Sequence, residues 1–232
     1  MSLFDSARPI TRRRLLTGAL AATGAAAVHT LAVSRPAAAQ PADRPNEWTE
    51  RVSANGWPVV TKGLETVRVE GSDIALDLLP GAVTTVLAYV TRRFHYEITA
   101  LAADDVHGYT TRRAVAAPYE SNYLSGTAIA LHPGMYPAGV RDGLFPNQLI
   151  VIRDILAQCD GVVRWGGDEK VAKESHFQID TAPNDDRLKR LAAKLGKLAA
   201  LPGQGAGSGE ELAFTSPRLG IARSLWQQQQ SR

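Results

Sequence analysis

The 232-residue chain carries 26 Lys and Arg against 23 Asp and Glu, a formal net charge of +3. Residues 1–39 hold five of those arginines (Arg8, Arg12, Arg13, Arg14 and Arg35) and only Asp5, so the remainder has 21 basic and 22 acidic residues, a formal net of −1. A near-neutral remainder excludes the net basic face that a nucleic-acid partner needs, and the single cysteine, Cys159, excludes an intramolecular disulfide framework.

The chain opens on a targeting pattern. Thr11-Arg12-Arg13-Arg14-Leu15-Leu16 leads into a weakly apolar stretch from Thr17 to Val33, and Ala37-Ala38-Ala39 supplies small residues for a signal peptidase. An arginine pair before such a segment reads as a twin-arginine export signal over residues 1–39. Gly18, Gly24 and His29 interrupt it, whereas a spanning helix needs about 20 predominantly apolar residues. The protein is therefore expected outside the cytoplasm, extracellular or at the cell envelope, with no stable membrane span after cleavage.

Residues 40–49 read as a Pro/Ala linker and residues 50–201 as the folded domain. From Thr66 to Leu79, Val67, Val69, Ile74, Leu76 and Leu78 alternate with polar residues around Gly71-Ser72, which predicts a hairpin. Pro80 opens a helix with Val83, Val86, Leu87, Val90 and Phe94 on one face, and His95 to Ile98 is expected to turn into the next strand. Pro146 opens a second helix with Leu149, Ile152 and Leu156 toward the core, flanked by Ile150 and Ile155, and Asp160-Gly161 stops it. Cys159 lies in that apolar stretch and reads as a buried, inert thiol. Val162, Val163 and Trp165 predict a short strand with His176 to Ile179 as its neighbour. A last helix is predicted from Asp186 to Leu201, with Leu188, Leu191, Leu195 and Leu198 on one stripe. Residues 202–232, with glycines from Gly203 to Gly209 and a run Gln227 to Gln230, read as a Gly-rich link and flexible tail. Short strands with separated helices make an α+β pattern: a small mixed or antiparallel sheet with flanking helices.

Two segments carry a resemblance. Ser121-Asn122-Tyr123-Leu124-Ser125-Gly126-Thr127-Ala128-Ile129-Ala130 is similar to a motif of the form S-x-H-x-x-G-x-A-x-D. Trp165-Gly166-Gly167-Asp168, followed by His176-Phe177, is similar to a second motif in which an acid stands three residues before the His. With Asn55-Gly56-Trp57-Pro58-Val59, Arg93-Phe94-His95-Tyr96-Glu97 and Gly108-Tyr109, they resemble, in register over roughly residues 50–180, the zinc D-alanyl-D-alanine carboxypeptidases. These are the VanY-like D,D- and L,D-peptidases of peptidoglycan, here in their exported actinobacterial branch. The resemblance implies the hedgehog/VanY-like α+β fold, a zinc cofactor, and peptidoglycan stem peptide as ligand.

The same resemblance locates the departures. The family's first His and its Asp are Tyr123 and Ala130 here, the base position is Lys173, and only His176 remains of the family ligands. A catalytic zinc needs three protein ligands, an open position and a carboxylate to take the proton of its water. Tyr123 ionises only near pH ~10 when unperturbed, Ala130 offers no ligand, and Lys173 repels a divalent cation. Zinc is therefore not expected to be retained. The resulting reading is an exported peptidase-like protein, catalytically degenerate, that binds stem peptide or an envelope protein. Two alternatives stay open: an active metallopeptidase with a displaced site, and an exported structural or interaction module.

For a displaced site, His132 would share Ala130's face on a continuing strand. Glu174, next to Lys173, would need a bulge to turn inward, and His95, His107 and Asp168 are further candidates without motif support. Ser121, Tyr123, Ser125, Trp165 and Asp168 are candidates to line a peptide groove. Arg112, with Arg113, stands where the family carries a basic residue that clamps a substrate carboxylate. Ser125-Gly126 lacks the nucleophile-elbow context, and Gly166-Gly167 lacks the Lys-Ser/Thr of a phosphate loop.

Overall fold

Alternation of buried Leu76 and Leu78 with exposed Ala75 and Asp77 makes one edge of a two-stranded hairpin. The computed structural model describes residues 46–199 and 210–231. The expected signal segment and the Gly203 to Gly209 link lie outside the described residues. Strand β1 (Asn46–Glu47) comes first, then β2 (Glu65–Arg68) and β3 (Ala75–Leu78), which pair antiparallel. Helix α1 (Ala82–Glu97) follows, its Val83, Val86, Leu87, Val90 and Phe94 all buried. It runs through His95, so the expected turn into a strand there does not occur. The backbone N–H of Leu101 is instead donated to His95 Nδ1 at 2.9 Å.

Strands β4 (Val106–His107) and β5 (Ala114–Val115) precede a 3-10 helix over Pro118–Ser125 and strand β6 (Ala128–Leu131). Strand β5 pairs with β1, and Arg113 donates to the Trp48 carbonyl at 2.8 Å. Residues 46–49 are thus tied to the domain, where the sequence reading placed them in the linker. Helix α2 (Pro146–Gln158), strands β7 (Val163–Trp165) and β8 (His176–Ile179), and helix α3 (Asp186–Ala199) complete the expected order. The main sheet is antiparallel with order β4-β6-β8-β7. The molecule is mixed α and β, with small antiparallel sheets and helices around them.

One face of the main sheet is apolar. Ile129 and Leu131 of β6 and Phe177 and Ile179 of β8 are fully buried in the core with α1 and α2. Phe94 of α1 meets Phe177 edge-on at 6.2 Å, a favourable aromatic geometry.

The expected flexible tail is helical where described. Helices α4 (Glu210–Ala213) and α5 (Ser216–Gln230) follow the link, with Thr215 as N-cap of α5 and Pro217 in its first turn. Ala222 and Gln229 are buried. Gln229 donates to the Val163 carbonyl at 3.0 Å, on the outer strand of the sheet. Arg218 and the buried Arg93 both pair with Asp154 of α2, and Arg93 also pairs with Glu97. A shared buried carboxylate thus ties α1, α2 and α5 together. Leu149, expected in the core, is exposed and lines a groove of about 510 Å³ between α2 and α5. No helix among the described residues is long and apolar enough to cross a membrane.

Candidate functional site

The opposite face of the main sheet carries the chemistry. Residues directly opposite one another in antiparallel strands share a face. Ala130 lies opposite both His107 of β4 and His176 of β8, and Gln178 lies opposite Ala128 and Arg164. His107, Ala130 and His176 therefore form one row across three strands, at a strand spacing of about 4.8 Å. The Pro118–Ser125 3-10 helix covers the inner part of this face and ends on Gly126, at φ 65°. A side chain at Gly126 would meet the Leu79 nitrogen at 2.9 Å, so this position admits only glycine.

His176 is fully buried and bonded at both ring nitrogens. Its Nδ1 lies 2.6 Å from the Tyr123 hydroxyl and its Nε2 2.8 Å from Gln178 Oε1. Asn122 Nδ2 donates to the same Gln178 oxygen at 2.7 Å, and the Asn122 oxygen accepts the Asn55 N–H at 3.0 Å. Gln178 Oε1 is an acceptor, so the network assigns the proton to Nε2 and leaves Nδ1 to accept from the Tyr123 O–H. Burial holds the His176 pKa down at about 4, against partial relief from the Gln178 hydrogen bond and further lowering by the Lys173 charge. Burial, reinforced by the Glu120 charge, raises the Tyr123 phenol well above its usual range. Both groups are therefore neutral at pH 7, and the Tyr123 O–H is donated to the one imidazole nitrogen that carries no proton.

The three positions at which the resemblance expected a His, an Asp and an acid meet in one place. Tyr123, Ala130 and Lys173 line a single cavity of about 390 Å³, together with Asp77, His107 and Tyr109. The Lys173 ammonium donates to Glu120 Oε1 at 2.6 Å and stands 5.1 Å from the centre of the Tyr123 ring. Glu120 also accepts the Ala116 N–H at 2.6 Å. Burial alone would raise the Glu120 carboxyl, but the Lys173 hydrogen bond and charge outweigh it and hold the group below its ordinary value.

These residues do not fit zinc. A metal on His176 would have to displace the Tyr123 hydroxyl from Nδ1 or the Gln178 oxygen from Nε2. Tyr123 is held protonated, Ala130 has no donor, and Lys173 presents an ammonium, paired to Glu120, where a carboxylate would be needed. Among the described residues no group of three or more His, Cys, Asp or Glu side chains is arranged to hold a metal ion.

All but one of the further residues proposed for a displaced site are turned elsewhere. Strand β6 ends at Leu131, and His132 adopts φ 52°, which breaks the continuing strand that would have aimed its ring at the site. Its Nδ1 faces Asp105 Oδ1 at 3.1 Å instead. Glu174 spreads its carboxylate over the backbone N–H groups of Asp142 and Gly143, both at 2.9 Å. Asp168 takes both ends of the Arg153 guanidinium and the Trp226 indole N–H at 3.3 Å. His95 receives the Leu101 N–H, as described above. Of the ring candidates, only His107 opens into the cavity.

Most of the expected groove-lining residues are scaffold. Ser121 donates to the Pro118 carbonyl at 2.7 Å and accepts the Ala54 N–H at 2.8 Å. Ser125 bonds Ser53, Thr127 and the Asn122 carbonyl. Trp165 is buried, with its indole N–H on the Glu174 carbonyl at 2.7 Å. A side chain at Gly166 would sit 2.5 Å from the Lys173 carbonyl and 2.8 Å from His176 Cβ, and one at Gly167 would strike the Trp165 ring. The Trp-Gly-Gly-Asp segment thus has packing reasons of its own. Arg112 is exposed and outside the cavity lining. Cys159 is buried, which pushes its thiol up to about 12.

Three contributors were not read from the sequence, Glu120, Gln178 and Asp77, and Asn122 was quoted only as part of the first motif. Gln178 was within reach, since it lies two residues from His176 on one strand and must share its face. Glu120 and Asp77 carried no local signal. Compared with models of protein families, with curated proteins and with solved structures, the chain matches none.

Proposed function

We propose that this chain is an exported, non-hydrolytic protein of the hedgehog/VanY-like D,D-peptidase type that binds peptidoglycan stem peptide at the cell envelope. One observation carries the reading: the three positions where the sequence departs from the family's motifs, Tyr123, Ala130 and Lys173, line the same cavity. Behind them, His176 is closed off by hydrogen bonds at both nitrogens. A cavity kept open beside a filled ligand position favours binding without hydrolysis. Activation of water for peptide cleavage needs a base, and the position that would hold it carries an ammonium paired to Glu120. The export signal in residues 1–39 and the near-neutral remainder fit an envelope location with no nucleic-acid partner.

Calorimetric titration of the full-length chain with stem peptide, with and without added zinc, tests the proposal. Saturable binding without release of D-alanine is expected in both conditions. Release of D-alanine, or no binding at all, would overturn it.

A further inference from the structure

We infer that the cavity takes an uncharged stretch of peptide, an amide carbonyl and N–H, in preference to a free C-terminal carboxylate. The inference depends on the binding reading above and narrows its ligand.

The polar groups facing the cavity set the terms. Lys173 has three N–H donors, and among the described residues only Glu120 accepts one, while the Tyr123 ring lies beneath the ammonium. At least one donor is left for a ligand oxygen. The positive charge, however, is already answered by Glu120, so that oxygen meets a hydrogen-bond donor more than a net cation. On the opposite wall Asp77 projects from the exposed side of β3. Its Oδ1 accepts from Thr66, and its Oδ2 has no partner among the described residues. His107 opens into the same space with both ring nitrogens unengaged among the described residues. Among the described residues no guanidinium lines the cavity, and Arg112 lies outside it.

With Lys173 paired to Glu120, which stands outside the lining, Asp77 is the lining charge left without an ionic partner among the described residues. A ligand carboxylate entering here would be repelled by Asp77 without a free cation in compensation. A peptide unit meets the lining without penalty: its carbonyl accepts from Lys173, and an amide N–H donates to Asp77 Oδ2.

The full-length chain should be titrated with two forms of one stem peptide ending in D-Ala-D-Ala, the free acid and its C-terminal carboxamide. The carboxamide is expected to bind about tenfold tighter or more. Asp77→Asn, an exposed substitution outside the core, should bring the two affinities together, and Arg112→Ala should leave their ratio unchanged. Equal or tighter binding of the free acid, or a ratio unmoved by Asp77→Asn, would overturn the inference while leaving the binding reading in place. Binding of neither form would overturn both.

Discussion

On one face of the four-stranded sheet, Ile129, Leu131, Phe177 and Ile179 sink into a core of helices. On the other, Ala128, Ala130, His176 and Gln178 are also buried, yet half of them are polar, with both His176 nitrogens and the Gln178 side-chain oxygen engaged in hydrogen bonds. The same two strands thus build one face by apolar contact and the other by a closed hydrogen-bond network. The contrast teaches where each kind of face is vulnerable. An apolar face loses stability in proportion to the volume removed. A polar network fails when one partner is deleted and another is left buried without a bond.

The largest effect should come from the apolar face. Phe177→Ala removes a fully buried ring that meets Phe94, and should cost about 3–5 kcal/mol in urea unfolding. A loss below about 1 kcal/mol would mean the core is not where the sheet places it.

The polar face should announce itself through pH. His176 ionises at about 4 in the folded chain, against 6.5 for the ordinary group. Between these values the unfolded chain binds the proton and the folded chain does not. Stability is therefore complete above pH 6.5 and falls as the pH drops toward 4, by roughly 3 kcal/mol for this group. Glu120, held low by Lys173, adds loss in the same direction at the acid end. His176→Asn should flatten the slope between pH 6.5 and 4 relative to the parent chain. An unchanged slope would show that the imidazole is not buried as described.

A smaller effect is expected from Tyr123→Phe, which keeps the ring and removes only the hydroxyl that serves His176 Nδ1. It should cost about 1–3 kcal/mol. In the same variant the His176 proton should be bound at a higher pH, readable by NMR titration of the imidazole. Coincident titration curves for parent and variant would break the proposed pairing.

The two faces were unequally legible. Helices α1 and α3 and the β2–β3 hairpin follow from apolar spacing, because each has one face in the core and one in water. Helix α5 was missed. Its composition is polar and Gln-rich, and what holds it is tertiary: Arg218 on Asp154, Trp226 on Asp168, Gln229 on the Val163 carbonyl. Thr215 and Pro217 were the start signal available to a reader. Leu149 was placed in the core by the period of α2, yet it faces the groove beside α5, because the apolar stripe of α2 is wider than the surface that covers it.

At the site, the family resemblance named His176, Tyr123, Ala130 and Lys173 together, and three of these share the cavity wall. Ser121, Ser125, Trp165 and Asp168 came from the same motifs and are scaffold. A residue type at a motif position does not distinguish a side chain that faces a ligand from one that braces the loop behind it. Glu120 sits beside Ser121 in the Pro118–Ser125 3-10 helix, but its partner Lys173 is 53 residues away, and Asp77 comes from a distant segment that the packing of β3 against the Gly108 turn brings to the cavity. The backbone N–H of Tyr109 is donated to the Asp77 carbonyl at 3.0 Å.

Both His176 nitrogens are engaged within the protein. The most direct test of this engagement is the metal content of the full-length chain after equilibration with zinc and removal of the excess. The prediction is no retained zinc, with the Tyr123–His176–Gln178 network intact. Stoichiometric zinc, lost on His176→Ala, would contradict it.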